Sequence, residues 1–103
     1  MSVQNFFANA AAPTTGERFE TLLDHKNLVI ERIVSSSSIP PNHYCQPQDE
    51  WVLLVQGTAD IEINGNSEAL KAGDYVFLPA NTPHSVKSVS DGAVWLAVHL
   101  HSQ

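Results

Sequence analysis

Two stretches of this chain decide its fold, His43-Tyr-Cys-Gln-Pro-Gln-Asp-Glu50 and Gly73-Asp-Tyr-Val-Phe-Leu-Pro-Ala-Asn-Thr-Pro-His84. The first gathers an imidazole, a thiol and two carboxylates within eight residues. The second ends in another imidazole, just after a loop flanked by prolines. Histidine, cysteine and glutamate are side chains that hold transition metal ions. If the two stretches meet in space, they predict a small metal site.

Short strand patterns surround both stretches. Thr58–Ile63 alternates apolar and polar residues, which is typical of a half-buried strand, and Asn64-Gly65 is a strong hairpin signal. No segment has the pattern of an amphipathic helix of ten or more residues. The predicted strands are Arg18–Leu23, Leu28–Val34, Trp51–Val55, Thr58–Ile63, Glu68–Leu70, Tyr75–Leu78, His84–Val89 and Val94–His101. About eight short strands separated by turns predict an all-β sandwich or small barrel.

The length of 103 residues suits one domain. We assign residues 1–16, rich in Ala, Asn, Pro and Thr, to an N-terminal arm that Phe6 and Phe7 could anchor, and residues 17–103 to the barrel. The formal net charge of −6 argues against a nucleic-acid partner and against binding to anionic lipid.

Cysteine content and the N-terminus indicate the compartment. A single cysteine excludes an intramolecular disulfide. The first residues have neither the basic segment nor the long apolar run of a signal peptide, and no apolar segment reaches the ~20 residues needed to cross a bilayer. We therefore expect a cytoplasmic protein without a membrane span.

The first stretch is interpreted as the end of a strand followed by a turn. His43 and Cys45 are two residues apart, so their side chains point to the same face. If the turn through Gln46-Pro47-Gln48 brings two strand ends together, Glu50 can converge with them, and His84 opens a later strand. Two imidazoles and one carboxylate suit Fe, Mn, Ni or Zn, whereas a thiolate shifts the preference toward softer ions such as Zn or copper.

The two stretches resemble the paired motifs of the cupin superfamily, including its RmlC-like members. The first family motif is Gly-x5-His-x-His-x3-4-Glu-x6-Gly, and this chain has His43-x-Cys45-x4-Glu50-x6-Gly57. The second is Gly-x5-Pro-x-Gly-x2-His-x3-Asn, and this chain has Gly73-x5-Pro79-x-Asn81-x2-His84. The resemblance implies a jelly-roll, double-stranded β-barrel sandwich.

By this resemblance His43, Cys45, Glu50 and His84 fall on metal-ligand positions, and the cofactor is a divalent transition metal, Zn, Fe, Mn or Ni. Cys45 stands where the family usually has its second histidine. Other departures are Ser37 for the first glycine, Asn81 for the glycine near the proline, and Ser88 for the last asparagine. Asparagine tolerates the left-handed backbone conformation better than other non-glycine residues.

Three functions remain open: a metalloenzyme acting on a small molecule, a small-molecule-binding module without turnover, and a structural barrel without metal. The fold serves all three, so fold does not decide between them. No catalytic residue is assigned. His99 and His101 share a face of the last strand and are interpreted as surface or rim residues, with lining of the pocket as the alternative.

The last predictions concern the large aromatic residues and the oligomeric state. Trp51, Tyr75 and Trp95 are expected in the core or at an interface. Because a small barrel leaves apolar surface uncovered, we expect a homodimer that takes a small-molecule ligand.

Overall fold

Nine β-strands in two antiparallel sheets make up the regular structure of residues 2–40 and 42–102, which the computed structural model describes. The strands are β1 (Glu17–His25), β2 (Leu28–Ser35), β3 (His43–Tyr44), β4 (Asp49–Gln56), β5 (Thr58–Ile63), β6 (Asn66–Lys71), β7 (Tyr75–Leu78), β8 (His84–Val89) and β9 (Ala93–Leu100). The predicted all-β sandwich is confirmed. In this part of the chain, no helix has the length and apolar character that crossing a membrane requires.

The sheets are built mainly from strands that are distant in sequence. The first sheet has the order β1-β2-β9-β4-β7 and the second the order β3-β8-β5-β6. The last strand, β9, therefore lies at the centre of the first sheet, between β2 and β4. Only the hairpins, such as β5–β6, pair neighbours along the chain, and Asn64 and Gly65 form its turn with φ of 50° and 81°.

The core lies between the facing sides of the two sheets. Val52 and Leu54 of β4 and Trp95 of β9 pack from the first sheet against Ala59 and Ile61 of β5. Successive side chains of a strand point to opposite faces, so the alternate residues of β4 and β9 lie on the outer face of the first sheet.

Gly57 carries the chain from β4 in the first sheet to β5 in the second. Its φ of +95° lies in the left-handed region, which favours glycine. A Cβ at this position would lie 2.6 Å from Ser90 Oγ and 3.0 Å from Ala93 Cβ. The crossover therefore requires a residue without a side chain, for both conformation and space.

The N-terminal arm lies on the outer face of the first sheet, held by a buried arginine. Arg32 is 3% exposed. Its Nη1 donates to the carbonyl oxygens of Phe6 and Ala8, each at 2.6 Å, and its Nη2 donates to both carboxylate oxygens of Glu20 at 2.8 Å. Arg18 adds a bond from Nη2 to Asn9 O at 2.7 Å. All three contacts from the arm are made by backbone carbonyls, one of them that of Phe6.

Candidate functional site

A cavity of about 80 Å³ opens between the two sheets. Its apolar walls come mainly from the core, and its polar groups come from both sheets and from the loop between β3 and β4. The apolar side chains are Phe19, Ile33, Val52, Ile61, Leu78, Val86 and Trp95. The polar side chains are Glu17, Glu31, Tyr44, Gln46, Glu50, His84, Ser85 and His99. Among the described residues, neither Lys nor Arg lines this cavity.

Glu50 and His84, two of the four predicted ligands, meet in this cavity. Glu50 Oε1 lies 3.7 Å from His84 Nε2. His84 Nδ1 lies 2.9 Å from the carbonyl oxygen of Thr82, and a carbonyl can only accept, so Nδ1 carries the proton. In the neutral ring Nε2 therefore presents a lone pair to Glu50. Two acceptors face each other with no proton donor between them.

The environment of Glu50 opposes its negative charge. The carboxylate is buried, and Oε1 has no hydrogen-bond partner among the described residues. Burial raises the pKa of Glu50 above its usual range, positive charge on His99 or His84 would lower it, and the charge of Glu31 raises it further. A bound cation would relieve this burial cost by pairing with the carboxylate.

His99 is a third member of the cavity, and its expected surface position is wrong. It is 6% exposed and follows Trp95 and Ala97 along the inward face of β9. Its Nε2 lies 3.0 Å from Glu31 Oε1 and 3.9 Å from Glu50 Oε2. The hydrogen bond to Glu31 raises the pKa of His99, burial lowers it, and the charge of Glu50 raises it. His101, two residues further along the chain, is exposed as expected.

The proton of His99 is held in a defined place. Gln48 Nε2 lies 3.3 Å from His99 Nδ1, so its amide N–H donates there and leaves the proton of the neutral ring on Nε2. Nε2 then donates to Glu31. This arrangement satisfies His99 without a metal and holds one transferable proton beside Glu50.

The side chains of Tyr44 and Gln46 line the cavity. The predicted ligands of this segment, His43 and Cys45, are their neighbours in sequence. Tyr44 pairs with His84 across the strands β3 and β8, and the two rings stack with centroids 5.4 Å apart. Burial, and then the charge of Glu17, raise the pKa of Tyr44. Gln46 Oε1 is buried and has no hydrogen-bond partner among the described residues. The cavity thus contains a second unsatisfied acceptor besides Glu50.

His43 and Cys45 lie on the other side of Tyr44. Both are exposed, and both line a surface hollow that borders the cavity at Tyr44 and His84. They share a face, as predicted, but this face points away from Glu50 because Tyr44 between them points inward. The structure brings together Glu50 and His84 and leaves His43 and Cys45 outside.

The family spacing could have identified the inward residues. It allows three or four residues before the glutamate, so Tyr44-x-Gln46-x3-Glu50 fits as well as His43-x-Cys45-x4-Glu50. The register through His43 and Cys45 contains the stronger metal ligands, whereas the register through Tyr44 and Gln46 is the one whose side chains line the cavity. The second stretch behaves as predicted: Asn81 has a φ of 63°, in the left-handed region, and its N–H donates to Gln46 O at 2.7 Å.

Within residues 2–40 and 42–102, no three His, Cys, Asp or Glu side chains form a group arranged to hold a metal ion. Metal binding therefore stays a prediction. The observations that fit a cation are the unsatisfied Glu50 Oε1 and Gln46 Oε1 and the lone pair of His84 Nε2.

Similar folds occur in solved structures from several bacteria. A candidate mannose-6-phosphate isomerase from Ralstonia eutropha JMP134 is 39% identical, with a TM-score of 0.85 over 99% of this chain and 100% of that chain. A protein of unknown function from Streptococcus pyogenes has a TM-score of 0.82 over 99% of this chain and 89% of that chain. It is 19% identical, and so this likeness shows the fold alone. An RmlC-like cupin from Shewanella frigidimarina NCIMB 400 has a TM-score of 0.76 and 17% identity over 85% of this chain and 78% of that chain, which again shows the fold alone.

Sequence comparison supports the same assignment. An uncharacterized protein from Aquifex aeolicus (strain VF5) is 28% identical over 65 residues, or 63% of this chain. The chain spans 52% of that protein's length. The sequence profile of the family Cupin_2, described as Cupin domain, matches residues 30–99. With this match and the two-sheet sandwich, the chain belongs to the cupin family.

Proposed function

We propose that the cavity binds a divalent transition metal ion (Zn, Fe, Mn or Ni) through Glu50 and His84, and that a small molecule occupies the remaining space beside it. The observation that carries the proposal is the pair of facing acceptors, Glu50 Oε1 and His84 Nε2, 3.7 Å apart. A metal ion bonds to such atoms at about 2.0–2.2 Å, so atoms up to ~4.2 Å apart can share one ion.

The surroundings of His84 support a ligand role. Metal-binding histidines commonly donate their other ring N–H to a carbonyl or carboxylate, which orients the ring. Thr82 O accepts this N–H in the present structure. Gln46, whose amide oxygen is buried and unsatisfied in the same cavity, is the third ligand we propose. It replaces His43 and Cys45, whose side chains lie outside the cavity.

When bound, a metal ion of this kind polarises an oxygen of the ligand as a Lewis acid. The protein itself supplies a proton carrier next to it. Glu31 accepts the Nε2–H of His99 at 3.0 Å, and Glu50 lies 3.9 Å from the same nitrogen. A histidine held between two carboxylates can give and take a proton during a reaction. The cavity therefore supports a metalloenzyme as well as a binding protein.

The charge of the cavity narrows the class of ligand. Glu17, Glu31 and Glu50 are acidic, and among the residues that the structure describes no Lys or Arg lines the cavity to pair with a phosphate. The likeness to the candidate mannose-6-phosphate isomerase points to sugar-like substrates. We therefore propose an uncharged, hydroxyl-bearing molecule, whose apolar side rests on the wall that includes Trp95.

A second candidate function is a binding module without metal. His99 and Glu31 satisfy each other by a hydrogen bond, and no three-residue metal group occurs in the described part of the chain. In this case a proton, rather than a metal ion, lies between Glu50 and His84.

Metal titration separates the two functions. Protein purified with chelator and without an affinity nickel column is titrated with Mn²⁺ and with Zn²⁺ by calorimetry. We expect wild type and the control Cys45→Ser to bind one equivalent of metal ion. His84→Ala and Glu50→Gln should lose this binding. The absence of metal binding by wild type would favour the metal-free module. Loss of metal binding in Cys45→Ser alone would identify the Cys45 thiol as a ligand.

A second titration tests the class of ligand. Metal-loaded protein is titrated with mannose and with mannose 6-phosphate. The acidic cavity predicts that the phosphate weakens binding. Tighter binding of the phosphorylated sugar would contradict the proposed charge selectivity but leave the metal site intact.

A further inference from the structure

The outer face of the first sheet carries a continuous apolar surface, which we name the apolar stripe. Its members are Trp51, Leu53, Tyr75, Phe77, Leu96 and Val98. They occupy the outward positions of three neighbouring strands, β9, β4 and β7. Their inward neighbours, such as Val52 and Leu78, belong to the core. The stripe is therefore the back of the sheet whose front forms the cavity.

Strand register arranges the stripe in two rows. In one row Phe77 pairs with Trp51, which pairs with Val98. In the other row Tyr75 pairs with Leu53, which pairs with Leu96. The rings of Trp51 and Tyr75 also contact each other diagonally, with centroids 5.3 Å apart. Direct pairing makes the surface contiguous.

The stripe is exposed at one side and bounded at the other. Tyr75 is 66% and Phe77 56% exposed. On the opposite side the second row continues from Leu96 to Arg32 and then to Glu20, where the N-terminal arm covers the sheet. The arm therefore shields the charged end of the row and leaves the apolar end open to solvent.

We propose that a second copy of this chain covers the apolar stripe, sheet against sheet, in a two-fold homodimer. A two-fold interface uses the same patch on both subunits, so that patch must be complementary to itself. None of the six side chains of the stripe carries a charge, although the chain has a net charge of −6. Two copies can therefore meet here without opposing like charges, and two sheets pack face to face about 10 Å apart.

The exposed area of the stripe is a large part of what a dimer interface needs. The rings of Tyr75 and Phe77 alone leave roughly 240 Å² uncovered, since such side chains have about 200 Å² each to bury. The half-buried members and Leu100, which is 48% exposed at the end of β9, enlarge this area. A standard interface buries about 800 Å² per partner, of which ~500 Å² is apolar. The stripe supplies a large part of that apolar centre.

Analytical ultracentrifugation over a range of concentrations tests the dimer. Wild type is compared with Phe77→Glu and Tyr75→Glu, and with the control Leu22→Glu, which changes an exposed leucine (45% exposed) on β1 at the opposite edge of the sheet. We expect wild type to dimerise. Each stripe variant should raise the dissociation constant roughly thirtyfold or more, as is typical of interface hot spots, and the control should leave it unchanged.

Circular dichroism and thermal unfolding establish that the variants are folded. Because Tyr75 and Phe77 are more than half exposed, their replacement does not open the core. A wild type that is monomeric at every concentration would overturn the proposal. So would a dimer that both Phe77→Glu and Tyr75→Glu leave intact.

Discussion

The ring of Tyr44 stacks on the imidazole of His84, with the ring planes 21° apart. The two residues are also direct partners across β3 and β8, although β3 is only two residues long. With Thr82 O accepting the proton of Nδ1, His84 is constrained on its face and at one of its two nitrogens. This imidazole is therefore pre-oriented before any ligand binds.

Removal of the stack should weaken the proposed metal binding. Tyr44→Ala leaves His84 free to rotate, and we expect metal affinity to fall about tenfold, within the range for residues that orient a ligand. Tyr44→Phe retains the ring and should keep the wild-type affinity. Competition titration against a chelating dye measures both. Equal affinities for the alanine and phenylalanine variants would show that the stack does not orient His84.

Glu50→Gln should stabilise the metal-free protein at neutral pH while it abolishes metal binding. The amide removes a buried negative charge and offers an N–H to His84 Nε2. We expect the free energy of unfolding to rise by roughly 1 kcal/mol, the usual net contribution of a hydrogen bond. Denaturant unfolding in the presence of chelator measures it. A less stable variant would indicate that a neighbouring donor already satisfies the carboxylate.

The same carboxyl group predicts a pH dependence. Its pKa is raised above the usual 4.5, so the native state retains the proton more strongly than the unfolded chain. The stability contributed by Glu50 is therefore full below pH 4.5 and is lost as the pH rises through the raised pKa. As the pH rises through the raised pKa, wild type should therefore become less stable relative to Glu50→Gln. A difference that does not vary with pH would contradict it.

His99 also makes the free energy of unfolding fall as the pH rises, but in a higher pH range than Glu50. Its pKa is raised above the usual 6.5, mainly by the hydrogen bond to Glu31, so its contribution is full below pH 6.5 and is lost as the pH rises through the raised value. His99→Asn should remove this part of the pH dependence and leave the acidic part in place. Unfolding measured from weakly acidic to alkaline pH separates the two contributions. If His99→Asn also removes the pH dependence assigned to Glu50, then Glu50 and His99 titrate as one unit.

Gly57→Ala and Gly73→Ala form a matched pair, because the two φ angles are +95° and +96°. A Cβ at Gly73 meets no atom within 4 Å, so its cost is that of the backbone conformation, about 1–3 kcal/mol. A Cβ at Gly57 also meets Ser90 and Ala93, which adds an overpacking cost of about 1–3 kcal/mol. We expect Gly57→Ala to have the lower melting temperature. Equal melting temperatures would mean that the β8–β9 turn, which contains Ser90, moves aside for the added Cβ without a cost in stability.

Arg32→Lys should release the N-terminal arm. A lysine cannot reproduce the planar set of donors that binds two carbonyls and the Glu20 carboxylate. Loss of these hydrogen bonds from a buried guanidinium should cost about 1–3 kcal/mol and expose residues 2–10 to limited proteolysis. Arg18→Lys, at an arginine whose side chain is 38% exposed, is the control and should change stability by less than ~1 kcal/mol. Equal cleavage of both variants would contradict a special role for Arg32.

The strands were predictable where their pattern is local. Thr58–Ile63 alternates along its whole length and forms β5 with the predicted bounds. The two-residue strand β3 is too short to produce a pattern, and it decides which side chains of the first stretch face inward. An error of one residue moves every side chain to the other face, and the choice between Tyr44 and His43 depends on this.

The site was predictable only in part, because half of it depends on long-range pairing. Glu50 and His84 follow from the motifs. Glu31 and His99 meet because β2 pairs with β9, in a register that places Glu31 beside Ala97. That pairing joins strands at opposite ends of the sequence, and no local pattern identifies it.

The position of Cys45 has a practical consequence. It is the only cysteine of the chain, it is exposed, and it lies one residue from Tyr44 without entering the cavity. A fluorophore attached to its thiol would therefore occupy one defined place at the rim and leave the interior free. The chain thus contains a natural labelling position, from which the arrival of a small molecule can be followed optically without an engineered cysteine.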